Sequence, residues 1–223
     1  MQTIPWDAAA YDRKVAQSLP YYALFHAQVI SAVRALFDRP VSWLDTGCGT
    51  GTLARRAAEA VPLSRLVLSD PSPEMLALAR QRMDGVPAEF WSLPSGQLPE
   101  RESFDVVTAI LCHHYLSPAE RRAATQRCFE ALRPGGVYIT FEHTAPRTDW
   151  GKALVLRRWD TFQQENGRDA ETVSRHLARY GTEYFPITMQ EHWKLLEDTG
   201  FDAAELLWSA YLDVGLIARR PKA

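Results

Sequence analysis

The chain has 223 residues, 46% of them hydrophobic and 23% charged, with a formal net charge of -2. That length suits one domain with a full hydrophobic core and no metal or disulfide staples. The near-neutral charge argues against general affinity for a nucleic-acid backbone, and no run approaches the ~20 apolar residues of a membrane span. Cys48, Cys112 and Cys128 form no CxxC pair, so neither a disulfide framework nor a zinc ribbon is expected. Residues 1–10 lack a cationic start followed by an apolar run, so no signal peptide is expected and a cytoplasmic location is inferred.

Strand-like and helix-like segments alternate along the first two-thirds, the pattern of a parallel sheet with crossover helices. Residues 41–45 read as a first strand running into glycines. Residues 53–60 form an alanine-rich helix stopped by Pro62, and 66–68 a second strand ending at Ser69 and Asp70. Ser72 and Pro73 open a helix as N-cap and first helical residue, running to about Met83. A short third strand falls at 88–91, a stronger fourth at 104–111, and a helix at 119–132. Arg133-Pro134-Gly135-Gly136 then imposes a turn before a β-branched and aromatic strand at 137–141. The segment 144–188 lacks strand periodicity and carries helices near 152–165 and 169–180. A helix at 189–199, a turn at Gly200 and strands at 205–208 and 213–218 close the chain.

The strongest chemical signal follows the first strand: Asp45-Thr46-Gly47-Cys48-Gly49-Thr50-Gly51. Glycines at alternate positions let the backbone approach a ligand closely. The next helix points free N–H groups at an anion, either a pyrophosphate or the carboxylate of an amino acid. The third glycine comes one residue earlier than in the dinucleotide fingerprint G-x-G-x-x-G. Asp45, at the strand end where ligands of open α/β sheets collect, either contacts ligand or ties the loop together. Asp70, 19 residues beyond Gly51, suits the hydroxyls of a ribose; alone it reads as an N-cap.

Trp43 to Gly51, Leu68-Ser69-Asp70-Pro71-Ser72-Pro73-Glu74-Met75-Leu76, Ser103-Phe104-Asp105-Val106-Val107 and Leu132-Arg133-Pro134-Gly135-Gly136 resemble the successive motifs of class I S-adenosylmethionine (SAM)-dependent methyltransferases. The resemblance implies an α/β, Rossmann-like, doubly wound seven-stranded sheet, mostly parallel with an antiparallel last strand. It implies one domain over 1–223, with a helical lid at 1–38 and a helical cap insert at 144–188 between strands 5 and 6. SAM is the implied cofactor. Its methionine carboxylate and amino group would lie on Gly47, Cys48 and Gly49, with Asp70 on the ribose and Pro71 and Met75 near the adenosine. Ser95 and Gly96 stand where many relatives carry an acid for the adenine amino group; this chain has none there, which leaves backbone groups. Ile110 would lie beneath the cofactor. Residues 11–22 resemble a lid helix, with Tyr11 or Tyr22 either touching SAM or packed under the helix.

Methyl transfer from a sulfonium is an in-line displacement in which alignment and exclusion of water supply much of the rate. A base is useful only where the acceptor must first lose a proton. His113 and His114, just after the fourth strand, are placed at the rim of the site, and His143, after the fifth, is the next candidate; each also has a purely structural reading. Adjacent residues at a strand end diverge, so Cys112-His113-His114 is not read as a metal site. In the insert, Trp150, Arg157, Arg158, Trp159, Arg175, Arg179 and Tyr180 offer aromatic walls and guanidinium groups suited to a small planar or carboxylate-bearing acceptor. The substrate set is narrowed to Trp150, Arg158, Arg175, Arg179 and Tyr180. The expected activity is methylation of a small molecule, with no nucleic-acid or membrane partner and an oligomeric state that is open. The insert also resembles, at low specificity, carboxy-SAM synthases of tRNA modification, and a non-catalytic SAM-binding partner protein is the third reading. An NAD(P)-dependent oxidoreductase fits the glycine spacing poorly.

Overall fold

In the computed structural model, residues 11–99 and 101–222 are described, with side chains from residue 14 onward. Seven strands form one sheet: β1 (Val41–Thr46), β2 (Leu63–Ser69), β3 (Glu89–Trp91), β4 (Phe104–Ile110), β5 (Leu132–His143), β6 (Ala203–Ala210) and β7 (Asp213–Arg219). Their order is β3-β2-β1-β4-β5-β7-β6. Strands β1 to β5 pair in parallel, and β7 runs antiparallel to both β5 and β6. The expected fold class, antiparallel last strand included, is the one observed. Strand order reverses direction between β1 and β4, so the crevice at their carboxyl ends is the switch point where such sheets collect ligands.

The strand sequences explain the two-sided core. Trp43, Val106, Ile139 and Phe141 face one layer, packed against Phe25, Val29 and Ala57. Their neighbours Leu44, Val107 and Tyr138 face the other, packed against Cys128, Leu196 and Phe201. This is the period-two alternation of pleated strands buried on both faces. The helices are α1 (Tyr11–Ser18), α2 (Tyr22–Leu36), α3 (Thr52–Ala60), α4 (Pro73–Arg82), α5 (Pro118–Ala131), α6 (Asp149–Glu165), α7 (Ala170–Leu177) and α8 (Met189–Thr199). Ser72 caps α4, and Ser117 with Glu120 and Thr188 with Glu191 form capping boxes on α5 and α8, satisfying N–H groups that a helix start leaves open.

Two boundaries differ from expectation. Strand β5 begins at Leu132, not Val137, and the register slips between Phe104 and Val106. Pro134 and the glycines bulge out of one continuous strand instead of separating helix from strand. A Cβ on Gly136 would meet the carbonyls of Arg133 and Asp105 at 3.0 Å, so the bulge closes only around glycine. Helix α7 ends at Leu177, and Asp169 is its N-cap, accepting from Thr172 N–H; the expected continuation to residue 180 is replaced by a turn ending in the Tyr180–Tyr184 bridge.

The insert leaves and returns at one point, because Thr144 and Ile187 form a bridge and Ala145 N–H donates to Ile187 O. Its helix α6 packs on α1, where Trp159 Nε1–H donates to the Ser18 carbonyl at 2.6 Å. Helix α2 covers the carboxyl end of β5 through Phe25 on Phe141, and α6 through Trp159 against His143.

Candidate functional site

The loop after β1 holds Gly47, Gly49 and Gly51 at φ of 63°, 53° and 75°, left-handed backbone that disfavours other residues. Gly47 has a second constraint: a Cβ there would sit 2.5 Å from Cys112 Cβ. Gly49 is the converse, with nothing within 4 Å of its missing Cβ. The open space belongs to a cavity with about 30 Å³ of free volume between the loop, Tyr22 and His26 of α2, Asp45 and Ile110. Thr52 and Leu53, in the first turn of α3, also border it; N–H groups of that turn have no partner within the helix.

Asp45 is buried and accepts the Thr108 hydroxyl at 2.6 Å. Burial pushes its carboxyl up to about 7 against the pull of that hydroxyl, and the Asp70 charge adds to the rise. Such a carboxylate, desolvated beside a polar cavity, suits an ammonium group.

Gly47, Cys48 and Gly49 line the cavity, but two of their amides are already taken within the protein. Cys48 N–H donates to Ser69 O at 3.1 Å and Gly49 N–H to Asp70 Oδ2 at 2.9 Å. The loop crosses the tip of β2, and its buried amides take the nearest acceptors. Asp70 is thereby engaged on both oxygens, since Ser72 N–H donates to Oδ1 at 2.9 Å. Burial raises its carboxyl above the ordinary range despite these two bonds. Each carboxylate oxygen retains a further lone pair.

Around the adenosine side, Pro71 is exposed and Met75 is buried. The Ser95 hydroxyl is 2.8 Å from that of Thr46, and Gly96 faces open space. Asp70 N–H donates to Trp91 O and the Ser69 hydroxyl to Leu93 O, which stitches the ends of β2 and β3 together. The Tyr11 side chain lies outside the described residues.

Residues 44–136 match the model of a methyltransferase domain. The chain is 28% identical to the carboxy-S-adenosyl-L-methionine synthase of Wolinella succinogenes over 97% of its own length and 92% of the relative's. It is 28% identical to that of Trichlorobacter lovleyi over 94% and 88%. The structure of magnesium protoporphyrin IX methyltransferase from Synechocystis PCC 6803, which holds bound SAH, superposes with a TM-score of 0.66 at 17% identity, covering 95% of this chain and 93% of that one. The matched domain, these relatives and the structural neighbour together support a class I SAM-dependent methyltransferase. It is an enzyme that uses SAM. The cavity fits that cofactor's amino-acid end: a buried carboxylate for the ammonium, first-turn amides of α3 for the carboxylate, and space above Gly49.

The three histidines of this methyltransferase are not where a rim would put them. Leu111 takes left-handed backbone at φ 56°, and residues 113–115 coil into a short turn of helix. Cys112 is thus pressed on Gly47, while His113 and His114 fold inward and are buried. His113 Nδ1 lies 3.1 Å from the Tyr138 hydroxyl, and burial lowers the imidazole to about 4. Its Nε2 has no hydrogen-bond partner among the described residues, and His113 lines a second cavity with Arg121, Glu142 and His192, of about 10 Å³, room for one water. His114 Nδ1 lies 3.0 Å from Glu142 Oε2, and burial drives this imidazole well below its ordinary range. His143 is also buried, with Nδ1 2.5 Å from Asp213 Oδ1 and its ring stacked on His114 at 4.2 Å. It shares a sheet face with Phe141, the face toward α2.

The five insert residues do not converge on one pocket. Trp150 is 76% exposed, and Arg175 is exposed with its guanidinium 3.4 Å from the Thr172 hydroxyl. Arg179 pairs with Glu183 and lies over the Tyr184 ring. Tyr180 carries the Lys152 ammonium over its face. Only Arg158 reaches the lid side, over Tyr211. Rows of helical side chains diverge around α6 and α7, which linear proximity does not reveal.

Sequence reasoning passed over His26, Thr108 and Asp213. His26 had a signal, four residues from Tyr22 on one helix face. Thr108 and Asp213 had none, because each acts through strand register, Asp45 with Thr108 and His143 with Asp213.

Among the described residues no helix is long and apolar enough to cross a membrane, and no group of three or more His, Cys, Asp or Glu is placed to hold a metal.

Proposed function

We propose that this methyltransferase moves the SAM methyl group to a small-molecule acceptor, in one domain with residues 1–38 as lid and 144–188 as cap. The observation that carries the reading is the roof. Helices α2 and α6 cover the strand ends, and the Trp159–Ser18 hydrogen bond ties cap to lid. A macromolecular acceptor would need an open groove there.

SAM, when bound, supplies an electrophilic methyl on a sulfonium. Asp45 holds the ammonium and the first turn of α3 the carboxylate, with Gly47, Cys48 and Gly49 as the floor. Asp70 holds the ribose through its remaining lone pairs. Pro71, Met75, Ser95 and Gly96 surround the adenosine, Ile110 lies beneath, and Tyr22 closes the lid. His143 takes the acceptor proton at Nε2 where one must leave, and Asp213 fixes its tautomer through Nδ1–H. His113 and His114 support that wall from behind.

Calorimetric titration with SAM and S-adenosylhomocysteine tests the cofactor, and formation of S-adenosylhomocysteine over a panel of small acceptors tests the transfer. Absence of binding at millimolar ligand sinks the reading. A second reading has one specific support, the alignment of relatives named carboxy-SAM synthase along nearly the whole chain. A carboxylated cofactor in the mass spectrum of ligand extracted from the purified protein would decide for it.

A further inference from the structure

Two non-glycine residues in left-handed backbone face each other at the mouth of the lid. Tyr21 (φ 61°) precedes α2 and Tyr211 (φ 56°) turns β6 into β7. Both carry the steric penalty of that conformation, which persists where surrounding structure enforces it and which clusters at ligand clamps. Their ring centroids are 6.4 Å apart, and Trp208 meets Tyr21 edge-on at the same distance. Tyr21 is 55% exposed, so this ring is presented, not packed away.

The exposed guanidinium of Arg158 lies 4.4 Å over the Tyr211 ring. Among the described residues no carboxylate pairs with it. A guanidinium stacked on an aromatic face keeps its N–H edges free for a planar anion. Behind these rings the patch is backed by the core. Trp208 packs on Phe25 at 4.8 Å, and Phe25 stacks on Phe141 at 4.9 Å. Phe141 pairs in register with Ile110, which borders the cofactor cavity alongside Tyr22.

We propose that Tyr21, Trp208, Tyr211 and Arg158 form the acceptor recognition site, and that the acceptor is a planar aromatic molecule bearing a carboxylate. Its ring lies against Tyr21 and Trp208 and its carboxylate takes the Arg158 guanidinium, beside Tyr22 of the cofactor cavity. This rests on the small-molecule methyltransferase reading and gives that acceptor its chemical class.

The test uses the full chain saturated with S-adenosylhomocysteine, titrated by calorimetry with naphthalene-2-carboxylate and its neutral isostere naphthalene-2-carboxamide. The carboxylate binds tighter by about tenfold or more, the worth of a charge-assisted hydrogen bond. Arg158→Met abolishes that preference and leaves carboxamide binding in place. Tyr211→Gly, which removes the ring while relieving the left-handed backbone and so keeps the fold, weakens both ligands several-fold. Equal affinity for the two probes, no binding of either, or a preference that survives Arg158→Met overturns the proposal. The preceding S-adenosylhomocysteine titration separates the two levels: if it binds and the naphthalenes do not, the acceptor class falls alone; if it does not bind, the methyltransferase reading falls.

Discussion

The Asp45 carboxylate accepts the Thr108 hydroxyl at 2.6 Å across the β1–β4 pair, at the floor of the cofactor cavity. Burial raises that carboxyl to about 7, so its protonation competes with ligand binding near neutral pH. A cofactor ammonium needs the charged form. SAM affinity therefore falls as pH drops below about 7, by up to about tenfold per pH unit. The folded protein shows the opposite trend from this group alone. Its raised pKa contributes stability that is fully present below the ordinary aspartate range and is lost as pH rises through about 7. Melting temperatures between pH 5 and pH 8, with and without SAM, read both slopes. Asp45→Asn flattens the binding profile, and Thr108→Val moves its midpoint upward because the hydroxyl stabilises the charged form. A pH-independent affinity in the wild type removes Asp45 from the ammonium site.

Gly47 and Gly49 share a backbone conformation but not surroundings, and alanine separates the two effects. Gly49→Ala incurs only the left-handed penalty of about 1–2 kcal/mol, and its methyl enters the cofactor space. It should keep the fold and weaken S-adenosylhomocysteine binding. Gly47→Ala adds a collision with Cys112 at 2.5 Å, costing about 1–3 kcal/mol more in overpacking. Thermal unfolding ranks the two, and Cys112→Gly in the Gly47→Ala background recovers most of the additional loss. Equal melting temperatures for the two single variants contradict the Cys112 contact.

Much of this was legible in the chain. The strands alternate or run apolar, the cap Ser72 stands before a proline at a helix start, and the glycine loop marks a ligand at a strand end. What escaped was whatever depends on where a backbone turns. Leu111 adopts left-handed backbone with no glycine to announce it, and that single residue decides that Cys112 backs the loop while His113 and His114 leave the site. The same holds for the amides of Cys48 and Gly49, whose partners at the tip of β2 are fixed by strand order. Asp213 was invisible beside His143 because 70 residues separate them and only the antiparallel register joins them.

Asp70 has two duties that one substitution removes together, the loop bonds seen here and the proposed ribose contact. Asp70→Ala leaves the amides of Gly49 and Ser72 without acceptors, at about 1–3 kcal/mol for each that stays buried. Asp70→Asn keeps acceptor capacity on one oxygen and lowers the melting temperature less. Both variants weaken S-adenosylhomocysteine, by about tenfold or more. The ribose role is read by comparing it with its 2′-deoxy analogue: the wild type discriminates between them and Asp70→Asn does so less. Undiminished discrimination in the variant confines Asp70 to the loop.

His143 and Asp213 give the sharpest division between scaffold and chemistry. Their 2.5 Å contact holds the imidazole through Nδ1, which leaves Nε2 as the nitrogen that would take a proton. Asp213→Asn preserves shape but presents an amide in place of the carboxylate, which favours the wrong tautomer. For an acceptor that loses an O–H proton during transfer, kcat falls by about 10²-fold or more, the usual scale of general-base assistance. SAM binding is unchanged, since neither residue borders the cofactor cavity. For an acceptor already ionised at neutral pH the loss is small. The two acceptor types separate a positioning role from a structural one: a base held by Asp213 matters only where a proton must leave, whereas a packing defect lowers kcat for both. An even loss across both acceptor types assigns the pair to the fold and leaves alignment alone to drive the transfer.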